Sequence, residues 1–345
     1  MSEDRGGQGS SSAEAARLAA SVDPDGVWRA VRALAQRTPL LHSDELSRRL
    51  GAPVWLKCEC LQTTGSFKVR GAAARLSALS PGDAERGVVA CSSGNHGRAV
   101  SYVADRLGIP ATVYVPEWVD PVKLDGIRSR GAEAVLAGST FDEAEMRALK
   151  DAADSGRCYV SAYDDPWVIA GQGTLAREVT EQLGAAPAAL LAPLSGGGLL
   201  GGIAANFRAS GAQTRVVAVS AERAAVMLAS VEAGQPVELP EEETLASALA
   251  GGIGLDNRWS FPLIRDRITE HVSVTEDDIS SAMHWAATRA RLVLEGGGAV
   301  GLAAVTSGRW PQEAAPAEDG PIVIVLSGGN VSMDVLSGIL EKAPA

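Results

Sequence analysis

Lys68 closes the stretch Thr63-Thr64-Gly65-Ser66-Phe67-Lys68 and sits where a helix is about to begin. The positive end of a helix and any burial both disfavour an ammonium there, so the free amine becomes accessible as nucleophile or base. A solvated first-turn lysine is the competing reading of the same residue type. Four glycine-bearing stretches accompany it: Ser92-Ser93-Gly94-Asn95-His96-Gly97, Ser195-Gly196-Gly197-Gly198-Leu199, Glu295-Gly296-Gly297-Gly298-Ala299 and Ser327-Gly328-Gly329-Asn330. Consecutive glycines at 196–198 let several backbone N–H groups face one phosphate, with a helix dipole behind them. No Lys-Ser/Thr pair follows, so this is not a Walker A loop. Nor is the loop read as the dinucleotide fingerprint, which pairs GxGxxG with an acidic residue about 20 positions further on. Tight helix–strand packing remains the alternative. Ser93 and His96 are equally open, since serine beside Gly-Asn is turn chemistry and a lone histidine is commonly structural. His42, His271 and His284 have no ligand partners at zinc spacing, and no metal site is expected.

The elements that must hold these residues alternate. Strands are read at 54–58, 88–90, 111–115, 134–136, 158–160, 189–192, 215–219 and 322–326. Helices are read near 24–36, 68–78, 96–107, 121–130, 141–153, 171–183 and 200–209. Such alternation, with β-branched runs in the strands, predicts α/β architecture with two open, twisted, mainly parallel sheets covered by helices. Residues 1–22 read as a flexible tail, 23–86 and 165–345 as one large unit, and 87–164 as a smaller inserted one. Three of the glycine stretches follow strands, where ligands bind in open α/β sheets. Composition narrows the partners. With 31 Lys+Arg against 42 Asp+Glu, the net charge is −11, and no basic run offers a field for nucleic acid or an anionic membrane. No apolar run approaches a membrane span, no signal sequence is visible, and four cysteines make no disulfide framework. A cytoplasmic protein with a small-molecule substrate is expected.

Taken in order, Ser66-Phe67-Lys68-Val69-Arg70-Gly71-Ala72, Ser92–Gly97, Ser195–Leu199 and Leu326–Asn330 resemble fold-type II pyridoxal-phosphate enzymes, the tryptophan synthase beta-like group. The closest branch is threonine dehydratase and serine racemase, and Thr38-Pro39-Leu40 is also usual there. The resemblance spans about residues 24–340. Within the branch, Asn95–Val100, Pro193–Leu199 and Gly251–Arg258 look most like hydroxyectoine-utilisation dehydratases.

The resemblance implies pyridoxal 5'-phosphate as cofactor and a homodimer. Lys68 would form the Schiff base and take the Cα proton, and Phe67 would lie along the pyridine ring. Asn95 would meet the phenolic oxygen. Ser92, Ser93 and the backbone at Asn95–His96 would hold the substrate carboxylate. Ser195, Gly196, Gly197, Gly198 and Leu199 would cradle the phosphate. Ser327 would face the ring nitrogen; a hydroxyl there leaves the ring a weaker electron sink, which favours β-elimination. The expected activity is that of an ammonia-lyase (dehydratase) turning a 3-hydroxy amino acid, threonine- or serine-like or hydroxyectoine-derived, into a 2-oxo acid and ammonia through an aminoacrylate. The alternative is an amino-acid racemase of serine or aspartate type, with Ser93 as acid opposite Lys68. Three departures stand out. Ser195 replaces the first of four glycines, so its hydroxyl would add a donor. Ala246-Ser247-Ala248 stands where Ala-Asp-Gly is frequent. The stretch Ser220–Val226 has one acid, Glu222 beside Arg223, too few for a divalent-cation site.

Overall fold

The computed structural model describes residues 22–92, 94–117, 119, 121–310 and 320–341. Ser93 and most of the 1–22 stretch lie outside them. Val22, assigned to the tail, is instead buried at 5% exposure in an apolar cluster with Val27 and Val31, because a valine ahead of an amphipathic helix gains by packing with its apolar stripe.

The chain begins with α1 (Pro24–Leu34), β1 (Leu40–His42), α2 (Asp44–Leu50) and β2 (Val54–Lys57). Then come α3 (Lys68–Ser77), α4 (Pro81–Arg86), β3 (Val88–Cys91), α5 (Asn95–Leu107) and β4 (Ala111–Val115). The middle holds α6 (Pro121–Arg128), β5 (Glu133–Leu136), α7 (Phe141–Ser155), β6 (Cys158–Tyr159), α8 (Pro166–Leu183) and β7 (Ala189–Pro193). The last part holds α9 (Gly198–Ala209), β8 (Arg215–Ala221), α10 (Val226–Ala233), α11 (Ser260–Arg267) and β9 (Glu270–Val274). It closes with α12 (Glu276–Trp285), α13 (Gly296–Thr306), β10 (Ile322–Val325) and α14 (Met333–Glu341).

Two sheets organise these elements. A six-stranded sheet runs β1-β2-β10-β7-β8-β9, parallel except for β1 against β2. A four-stranded sheet, β5-β4-β3-β6, is parallel throughout. β3, β7 and β10 are buried at every position, as interior strands with both faces covered must be. Packing crosses sheet membership: α1 and α3, which precede β3 in the chain, bury Val27, Val31, Val69, Ala72 and Leu76 in the core of the smaller sheet. α13 is buried from Gly296 to Val305 and lies in the core of the larger sheet.

Two departures from the sequence reading have clear causes. α8 starts at Pro166 rather than 171, because Asp165 accepts hydrogen bonds from Trp167 and Val168 while Pro166 pre-sets the first turn. The glycines at 296–298 are not a loop but the first turn of α13, where the Gly298 Cα face lies against Gly328 backbone and leaves no room for a Cβ. No helix among the described residues is long and apolar enough to cross a membrane.

Candidate active site

Helix starts define the site. α1, α2, α4, α7, α8 and α12 begin on a capping side chain: Asp23, Ser43, Ser80, Thr140, Asp165 and Thr275 respectively. α3, α5, α9 and α13 do not; their N-cap residues are Phe67, Gly94, Gly197 and Glu295, none with a side-chain cap bond. These four helices open on one cavity of about 980 Å³, lined by Lys68, Asn95, Gly198 and Gly297 among others. Uncapped N–H groups and aligned dipoles make such a space receptive to anions.

Lys68 is the first residue of α3, and its Nζ donates to the Ala162 carbonyl at 2.8 Å. Burial pushes its amine down to about 8, against the opposing pull of the Glu295 carboxylate. The ammonium also lies 5.3 Å from the centre of the Phe67 ring. A turn fixes this arrangement: Phe67 N–H donates to the Ser327 carbonyl at 3.0 Å, and Ser66 bridges to Gly328.

The phosphate-type loop follows β7. Gly197 has φ +83°, and a Cβ there would stand 2.9 Å from Ile264 and 3.0 Å from Met227. The Tyr163 ring packs on Gly196 so closely that a methyl would collide with it. Ser195 does not offer the extra donor expected of it: its hydroxyl donates to the Leu249 carbonyl at 2.9 Å, tying the loop to the 246–250 segment.

Just ahead of α5, the Ser92 oxygen accepts from Gly94 N–H at 3.1 Å, which leaves its own proton for an anion. The His96 ring is buried and its Nε2 lies 2.8 Å from the Val160 carbonyl; a carbonyl only accepts, so Nε2 carries the proton. Burial, with the charge of Lys68 adding to it, drives its pKa down to about 3, so this ring stays neutral and its place is structural. Asn95 Nδ2 donates to Glu295 Oε1 at 2.6 Å. Ser327 Oγ reaches the Gly297 carbonyl only at 3.4 Å, a long contact that leaves the hydroxyl free to turn.

Phe67, Lys68, Ser92, Asn95, His96, Ser195, Gly196, Gly197, Gly198, Leu199 and Ser327 thus all line the same cavity. Ser247 and Ala248 line it too, as do Glu241, Glu242 and Glu243. Residue reasoning missed Glu295 and Ala162. Glu295 had a legible signal, an acid directly ahead of three glycines; a backbone acceptor has none. Among the described residues no group of three or more His, Cys, Asp or Glu side chains is arranged to hold a metal.

A primary amine lowered to about 8, a hydroxyl, an amide and an uncapped glycine helix start are the donor set that a pyridine aldehyde phosphate needs. The family model described as "Pyridoxal-phosphate dependent enzyme" matches residues 31–328. The chain belongs to this family. Its cofactor is pyridoxal phosphate. It is 41% identical to a putative threonine dehydratase of Sinorhizobium fredii over 88% of this chain and 91% of that protein. It is 38% identical to an L-threonine ammonia-lyase of Geobacter sulfurreducens, over 90% and 76%. The solved structure of maize serine racemase superposes with a TM-score of 0.84 at 31% identity, covering 92% of this chain and 96% of the other.

Proposed function

We propose that this chain is an ammonia-lyase that eliminates water from a small 3-hydroxy amino acid, threonine- or serine-like or hydroxyectoine-derived, and releases an aminoacrylate, whose hydrolysis takes up water and gives a 2-oxo acid and ammonia. One observation carries the reading: an amine lowered to about 8 shares a cavity with two uncapped helix starts, α5 and α9. That cavity provides for one reactive amine and two separate anions, a phosphate and a carboxylate. Similarity to threonine dehydratases and ammonia-lyases supports the same class.

When bound, pyridoxal phosphate supplies an electron sink for charge developing at the substrate Cα. The chain's own residues do the rest. N–H groups at Gly196, Gly197, Gly198 and Leu199 would hold the phosphate, Asn95 would meet the ring oxygen and Ser327 the ring nitrogen, with Phe67 along the ring. Lys68 would hold the cofactor through its amine, and that amine would serve as the base that takes the substrate Cα proton. Ser92, Ser93 and the α5 N-terminus hold the substrate carboxylate. A homodimer in a reducing cytoplasm is part of the proposal, consistent with four free thiols.

The test is one incubation series of the holoenzyme with L-serine, L-threonine, threo-3-hydroxyaspartate and hydroxyectoine-derived amino acids, scored for ammonia, 2-oxo acid and enantiomer. Ammonia and 2-oxo acid from at least one substrate are expected. Inverted amino acid with no 2-oxo acid would replace the lyase with a racemase, the reading that similarity to serine racemases supports. Lys68→Ala should lose the cofactor's visible absorption band together with all turnover.

A further inference from the structure

Asn330 ends the Ser327-Gly328-Gly329-Asn330 loop, and no role above uses it. Its side chain lies against Gly65, a residue at φ +75° where a Cβ would come within 2.8 Å of Asn330 Nδ2. Nδ2 donates to the Thr64 carbonyl at 2.9 Å and to Asn95 Oδ1 at 2.6 Å. Oδ1 accepts from Arg98 Nη1 at 3.4 Å. Beyond Asn95, the chain of bonds continues to the Glu295 carboxylate.

Partner chemistry fixes which way both amides point. Thr64 offers a carbonyl that only accepts, and Arg98 offers a guanidinium that only donates. Asn330 must therefore turn its NH2 toward Thr64 and its oxygen toward Arg98. The second hydrogen of that NH2 needs an oxygen, so Asn95 presents Oδ1 to it. The NH2 of Asn95 is then sent to Glu295, again an acceptor. A flipped Asn95 would set NH2 against NH2 at one end and oxygen against carboxylate at the other, and a half-buried polar chain satisfied in only one sense resists that.

We propose that Asn330, anchored by Thr64 and Arg98, is a positioning residue: it locks the Asn95 amide with its donor side toward Glu295 and the cavity. The remaining N–H of Asn95 is thereby held ready for the ring oxygen of bound pyridoxal phosphate. The inference rests on the cofactor role given to Asn95 above, and not on which amino acid is the substrate.

Asn330→Asp tests it, replacing the NH2 by an oxygen of equal size that faces two oxygens. With the variant loaded with pyridoxal phosphate and no substrate present, the visible band of the bound cofactor should shift in position or in its pH midpoint. Turnover on the best substrate should fall on the order of 100-fold, mainly in kcat. In an Asn95→Ala background the Asn330 change should add nothing further, since the residue acts through Asn95. Asn330→Ala gives the same comparison if the Asp variant does not fold. An unchanged cofactor band, or a full additional loss on top of Asn95→Ala, would overturn the proposal. A normal cofactor band in wild type without turnover of any amino acid would instead remove the ammonia-lyase reading and leave the spectral test of Asn330 in force.

Discussion

Lys68 carries the most consequential number in the molecule. With its amine lowered to about 8 by burial, the fraction able to attack a carbonyl grows about tenfold per pH unit below that value and levels off above it. The rate at which cofactor-free protein captures pyridoxal phosphate should follow that curve, rising with pH and flattening above about 8. His96 sits nearby but is held neutral down to about 3, so the same profile should show no second inflection near 6.5. Stopped-flow absorbance across pH 5–10 measures both. An inflection near 10, the value of an unburied lysine, would mean that the first turn of α3 is solvated after all.

At the scale of elements, capped and uncapped helix starts divide the labour. Ser80 accepts from Asp83 N–H and serves only α4, so Ser80→Ala should cost about 1 kcal/mol of stability and leave cofactor affinity unchanged. Gly197 begins α9 in the left-handed region with Ile264 and Met227 close by, so an added methyl has neither the backbone conformation nor the space. Gly197→Ala should therefore shift the loop and weaken pyridoxal phosphate binding by about tenfold or more, the equivalent of 1.4 kcal/mol. Equilibrium titration of both variants with the cofactor, beside thermal unfolding, tests the contrast; equal losses of affinity would defeat it.

Across the whole molecule, a buried charge cluster ties the lysine-bearing helix to the larger sheet. Arg70, two residues after Lys68, donates to Glu59 and Glu178 at 2.8 and 2.9 Å, and Lys57 donates to Glu178 at 2.5 Å, all four side chains being buried. Burial raises the Glu59 carboxyl, yet Arg70, Lys57 and the Thr38 hydroxyl outweigh it and hold it below its ordinary value of 4.5. Its stabilising contribution is thus complete above about 4.5 and fades as pH falls through the lower folded value. Arg70→Met leaves two buried carboxylates with one fewer cation, and a loss of about 3–5 kcal/mol is expected. Thermal melts of wild type from pH 7 to 3 should decline steeply only at the acid end, and a melt of Arg70→Met at pH 7 within 1 °C of wild type would contradict the account.

The sequence by itself determined the local features: alternating strands and helices, an anion-type loop at 195–199, a lysine at a helix start, and the order of motifs that points to pyridoxal-phosphate chemistry. Those are short-range properties, set by side-chain periodicity and by what glycine permits. Only the tertiary structure decided that four helices without a capping side chain, α3, α5, α9 and α13, converge on one cavity, that Gly296–Gly298 start a buried helix, and that α1 and α3 pack with the smaller sheet. It also committed the Ser195 hydroxyl to Leu249 and made His96 a neutral structural ring. The hydrogen bonds among these join residues 54, 64 and 235 apart, Asn95 to Asn330 being the longest, and no local pattern encodes which distant acceptor a donor will find.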